Sequence, residues 1–88
     1  MTPKVKVQAT YVFRVVVEQD EDRWFAYCPA LQQYAATTWG YTREEALQHI
    51  RELVEMIVVE LMEEHTHIPD LPRNDVFVSN EPQVAVTV

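Results

Sequence analysis

The chain has 88 residues, 48% of them hydrophobic, and a formal charge of −7 from 14 acidic and 7 basic side chains. That is one small globular domain, which excludes a disordered tail and a two-domain enzyme. A domain this size buries only about 60–65% of the surface its unfolded chain exposes, so association would help a marginal subunit.

The basic residues are scattered at Lys4, Lys6, Arg14, Arg23, Arg43, Arg51 and Arg73. A nucleic-acid binder clusters such residues on one face, so no direct nucleic-acid contact is expected. Acidity of this size keeps a protein soluble, and it also suits a basic partner. Cys28 is the only cysteine, so an intrachain disulfide is impossible and the reducing cytoplasm is the expected compartment. Met1 to Thr10 lacks the continuous apolar core of a signal peptide. Leu53 to Met62 carries Glu55 and Glu60 and is too short for a membrane span, which needs about 20 residues.

In chain order, Val5, Val7, Ala9, Tyr11, Phe13, Val15 and Val17 alternate with largely polar neighbours, which predicts a long strand with one buried face. Val12 and Val16 interrupt the polar side, so cover on both faces is expected in its second half. Glu18 to Asp22 reads as a turn, because the short Asp side chain bonds nearby backbone N–H groups. Arg23 to Cys28 is a second, aromatic strand ended by Pro29, which has no N–H for the ladder. Ala30 to Gln33 connects it to a third strand, Tyr34 to Trp39, completing an antiparallel meander.

Gly40 releases the chain into a helix that ends near His65. Thr42 and Glu45 have capping-box spacing, and Glu44 suits the positive end of the helix dipole. Ala46, Leu47, Ile50, Leu53, Val54, Ile57, Val58 and Leu61 form a core-facing stripe. Met56 and Val59 fall almost opposite that stripe and Met62 near its edge, where a helix on a sheet should be polar. With Glu52 and Glu63 they form the candidate partner or oligomer interface: Glu52, Met56, Val59, Met62 and Glu63. Beyond the helix, Pro69, Pro72 and Pro82 punctuate an extended tail. Val76 to Val78 reads as a short strand or arm. Val84 to Val88 is a better strand, expected to lie parallel to the first after a helical crossover.

These residues now form a recognisable series. Asp20-Glu21-Asp22, Trp24, Ala26, Pro29, Leu31, Gly40, Thr42, Glu44-Glu45-Ala46, Ile50 and Glu52 resemble the HicB antitoxin family. Ile68-Pro69 and the valine-rich terminal strand fit as well. Each short motif is weak alone, but their order and spacing are specific, and they cover most of the chain. The resemblance implies a β-β-β-α-β core like a partial RNase H fold, homodimers or homotetramers, and binding to a small basic RNA-cleaving HicA-like toxin. Two departures stand out. Family members often have Gly where this chain has Arg23, and a Leu-Pro-Gly-Cys loop where it has Leu31-Gln32-Gln33-Tyr34. A chain ending at Val88 leaves no room for the DNA-binding segment that many members carry.

Chemical candidates are thin. Two-metal hydrolysis needs convergent carboxylates, and the strands as read carry few. His65 and His67, with Glu64 and Asp70, offer metal-ligand types without a four-ligand pattern, and the helix dipole accounts for histidines at that end. Cys28 has no neighbouring base to activate it, so a buried inert thiol is expected. Trp24 and Trp39 have the chemistry to stack on bases, but without interleaved basic residues core packing is the better account.

The sequence thus predicts an α+β, two-layer domain with a mostly antiparallel sheet and one long helix. A single domain spans 1–88, with its core at about 5–68 and a tail and last strand at 69–88. The expected function is that of a HicB-like antitoxin or antitoxin-derived binding module. The alternative is an orphan self-associating domain. No enzymatic activity, catalytic residue, metal or other cofactor is expected.

Overall fold

The computed structural model describes residues 9–70 and 82–88. Their element order is β1 (Thr10–Arg14), β2 (Val16–Asp20), β3 (Arg23–Tyr27), a 3-10 turn (Pro29–Tyr34), β4 (Thr37–Gly40), α1 (Arg43–Glu63) and β5 (Gln83–Thr87). The first predicted strand is therefore two, broken at Val15, which is fully buried. Its alternation survives the break: Phe13, Val15 and Val17 share the inner face, and Arg14, Val16 and Glu18 the outer. Val5 and Val7 lie outside the described residues, as do Pro72 and the Val76–Val78 segment.

β1 pairs with β5, while β2, β3 and β4 form a second sheet in that order. Every pairing among the described strands is antiparallel. This corrects the expected parallel placement of the last strand: Thr10 lies opposite Thr87 and Arg14 opposite Gln83. Residues 64–82 between α1 and β5 are enough chain to reverse the approach, and antiparallel ladders are slightly more stable per residue. Ala9 and Val88 exchange both backbone hydrogen bonds, at 2.9 and 3.0 Å, and the Val15 N–H donates to the Pro82 carbonyl at 3.0 Å. Thr10 and Thr87 form the intervening close pair, and their hydroxyls meet at 2.9 Å.

The β2–β3 connection is tighter than expected. Glu18 to Asp20 are strand residues, and only Glu21 and Asp22 turn the chain. Glu21 has φ 57°, in the left-handed region that a two-residue hairpin demands. Ala35 (φ 60°) ends the 3-10 turn, and His65 (φ 55°) follows the helix. Among the described residues, three reversals thus rest on non-glycine residues, while the chain's single glycine sits elsewhere.

That glycine, Gly40, is where β4 meets α1. A Cβ there would lie 2.7 Å from the Ala46 nitrogen and 2.9 Å from the Glu45 Cβ. Only hydrogen fits, which lets the helix start close against the strand. The capping box forms with one change. Thr42 Oγ1 accepts from the Glu45 N–H at 3.0 Å, but the Glu45 carboxylate accepts from Tyr41 N–H at 3.4 Å, one residue before the cap. At the other end the His65 N–H donates to Met62 O and the Thr66 N–H to Leu61 O, at 3.1 and 2.9 Å. This is a Schellman closure with histidine at the left-handed position.

α1 packs across β2, β3, β4 and β5. Its stripe buries Ala46, Ile50, Val54, Ile57, Val58 and Leu61, with Leu47 and Leu53 half-buried beside them. They meet Phe13, Val15, Ala26, Cys28, Leu31, Ala36, Val84 and Val86 in one core. Burying each large aliphatic side chain of this kind contributes about 1.5–3 kcal/mol.

Candidate functional site

Among the described residues, the sheets and the one helix leave two outward surfaces: the solvent side of α1 and the outer side of the β2–β3–β4 sheet.

On α1, the five residues read from sequence as an interface are all exposed. Helical spacing sets Glu52 beside Met56, and Val59 beside both Glu63 and Met62. Met56 is 58% exposed, and Val59 and Met62 are each 40% exposed. Met62 is turned to the flank, where Tyr11, Thr66, His67, Ile68 and Asp70 line a shallow hollow with it. From Glu52 to Glu64 there are five glutamates and no Lys or Arg. Upstream, the Gln48 amide donates to Glu52 at 2.9 Å. The second half of α1 therefore presents two apolar side chains within a field of one sign.

The outer sheet face was not legible as a surface in the sequence. Val16, Phe25, Tyr27 and Trp39 all project to this side, because Val16 opposes Tyr27, and Glu18, Phe25 and Trp39 share one register. Trp39 is 41% exposed and Tyr41 60%, so Trp39 is not the core residue it was expected to be. Strand parity decides this: Trp24 and Trp39 differ by one position in register, and Trp24 takes the inner side against the core. The Arg23 guanidinium lies 4.9 Å from the Trp39 ring centre, and Tyr41 meets that ring edge-on at 5.2 Å. The signal available in the sequence was the alternation 37, 39, 41 leading out of β4.

Neither surface assembles chemistry. The described residues hold no group of three or more His, Cys, Asp or Glu placed to bind a metal ion. Glu18 and Asp20 stand on β2 but face outward. His65 is occupied in shape terms by closing the helix, and His67 borders the hollow beside Met62. Cys28 is buried, and burial pushes its thiol up despite backbone hydrogen bonds from Leu31 and Ala30 that pull it down. A thiol held in its neutral form is a poor nucleophile. Among the described residues no helix is long and apolar enough to cross a membrane.

A UPF0150 protein of Synechocystis sp. is 34% identical to this chain over 70 residues, covering 78% of this chain and 81% of the relative. The chain belongs to the UPF0150 family. No family model matches it. In three dimensions this UPF0150 chain is similar to the N-terminal domain of the Burkholderia pseudomallei antitoxin HicB, with a TM-score of 0.61 at 19% identity. That match covers 88% of this chain and 96% of the other. The HicB-like resemblance read from the sequence is therefore borne out, as is the mixed fold of antiparallel sheets with one long helix.

Proposed function

We propose that this chain is an antitoxin-type binding protein that neutralises a small basic RNA-cleaving toxin of the HicA kind by covering it. The HicB-type fold and the UPF0150 relationship support an antitoxin-type role. The observation that carries the finer reading is the outward half of α1, where Met56 and Val59 stand among Glu52, Glu55, Glu60 and Glu63. An apolar centre supplies contact area, and a rim of one charge steers a partner of the opposite charge and fixes its orientation. A ribonuclease surface must be basic to hold RNA, so an acidic cover competes with the substrate for the same charges. The protein does this by occlusion and performs no bond-making itself.

The rival reading, an orphan domain that self-associates through this helix face, meets an electrostatic objection. Two copies would set five glutamates against five, and like charges in close apposition oppose contact. Affinity purification of the full chain from its source cell at low and at high salt tests the proposal. A small basic protein that co-purifies at low salt and is released at high salt is the expected result. Recovery of no small basic protein under either condition would overturn it.

A further inference from the structure

We propose that the hollow at the C-terminal end of α1 is the seat for one arginine side chain of a basic partner protein. The preference for a guanidinium comes from the pocket's own walls; that the arginine belongs to the partner rests on the antitoxin reading.

The walls come from three places in the chain. Tyr11 belongs to β1, Met62 to the last turn of α1, and Thr66, His67, Ile68 and Asp70 to the segment that follows. Ile68 is buried and Tyr11 is half-buried against the core, so the floor is fixed and apolar. The hollow's volume, about 400 Å³, admits one long side chain. Through Met62 it is continuous with the acidic side of α1.

Charge selects the occupant. The C-terminal end of a helix holds about half a negative charge, which a Lys or Arg in the last turn commonly offsets. Here the last turn has no basic residue, and Glu63 and the capping Glu64 stand there instead. From Glu52 to Asp70 there are six acidic residues and no Lys or Arg. Asp70 is half-buried, and among the described residues its carboxylate has no hydrogen-bond or ion-pair partner. A cation brought by another molecule satisfies the helix end and Asp70 together. Arginine suits these walls best. Its guanidinium lies flat on an aromatic ring such as Tyr11, its stem covers apolar surface such as Met62 and Ile68, and its N–H groups still reach acceptors such as Asp70 and the Thr66 hydroxyl. A metal ion finds only His67 and Asp70 as strong ligands among the lining residues, and an anion meets the wrong sign.

Two measurements test it. In the first, the isotope-labelled full chain is titrated by NMR, with no partner present, against N-acetyl-arginine amide and its neutral citrulline analogue. The arginine probe alone should give saturable shifts at the Tyr11, Thr66, His67, Ile68 and Asp70 amides, with affinity about tenfold or more weaker in Asp70→Asn. No such shifts, equal shifts with the citrulline probe, or shifts unchanged in Asp70→Asn would overturn the pocket. In the second, the basic protein expected to co-purify with the chain is bound to wild type, Asp70→Asn and Tyr11→Leu, with circular dichroism of each variant as the check on folding. Each variant should bind it about tenfold or more weakly than wild type. Wild-type affinity in Asp70→Asn would overturn this inference and leave the antitoxin reading standing. Arginine-probe binding with no basic protein recovered would overturn that reading, and the partner assignment with it, and leave the pocket.

Discussion

The imidazole of His49 donates from Nδ1 to the backbone carbonyl of Trp39 across 2.8 Å. A carbonyl oxygen only accepts, so the proton must sit on Nδ1. The Cys28 N–H bonds the Ala36 carbonyl, so alternate pairs along β3–β4 carry the ladder and Phe25–Trp39 falls between them. The Trp39 carbonyl therefore faces the free edge of β4, and the first turns of α1 cover it. An edge strand with open backbone groups is a template for unwanted pairing, and this contact closes part of that edge. His49→Ala should lower stability by about 0.5–1.5 kcal/mol, the usual net worth of one such bond. Urea unfolding measures it, and an unchanged midpoint would show the contact to be idle.

Gly40→Ala tests the close approach of α1 to β4. The added Cβ meets backbone atoms of Glu45 and Ala46, which have no flexible end to swing aside. The expected loss is about 1–3 kcal/mol, as for other overpacked sites. Thermal unfolding is the measurement, and a loss below the lower figure would mean that the helix start can shift freely.

The two helix ends should respond with opposite sign. Thr42→Ala removes the hydroxyl that accepts from Glu45 N–H and should cost about 1 kcal/mol. His65→Gly relieves a left-handed histidine, a strain of about 1–2 kcal/mol, partly offset by the extra freedom glycine gives the unfolded chain. A net gain of about 0.5–1 kcal/mol is expected. Ala35→Gly, at the end of the 3-10 turn, should behave likewise. Destabilisation by both glycine substitutions in urea would contradict this account.

Much of this architecture was written in the sequence in residue types. Alternation gave the strands, the helical stripe gave α1, and Thr42 with Glu45 gave its start. The misses have physical causes. Nothing in the run from Thr10 to Asp20 marks the break at Val15, because a buried valine suits a strand and a bend equally. Glu18 to Asp20 read as a turn because acids favour turns, yet the hairpin needed only the two residues after them. The direction of β5 depends on the path of the chain after α1, which no local pattern encodes. Trp39 read as core because tryptophan usually is, and only its register opposite Phe25 places it outside. The acidic and apolar side of α1 was legible because helical spacing alone defines it.

Cys28 gives a prediction in pH. Burial raises its thiol, so the folded chain holds that proton to higher pH than the unfolded chain does. The unfolded state loses its proton first as pH climbs past about 8.5, so the stability linked to this group is complete below that value and falls above it. Cys28→Ala should remove this part of the alkaline loss, flattening stability between neutral and alkaline pH relative to wild type. Equal slopes in the two chains, from urea unfolding at each pH, would refute it.

The most direct measurement takes the small basic protein that the proposal expects to co-purify with this chain and assays its RNA cleavage, with the chain added back in stoichiometric steps. Cleavage should stop near equivalence with wild type and persist with Glu52→Lys/Glu63→Lys, which reverses charge on the α1 face without touching the core. Undiminished cleavage in the presence of excess wild-type chain, or equal protection by the charge-reversed form, would contradict the claim that this surface works by covering a basic partner.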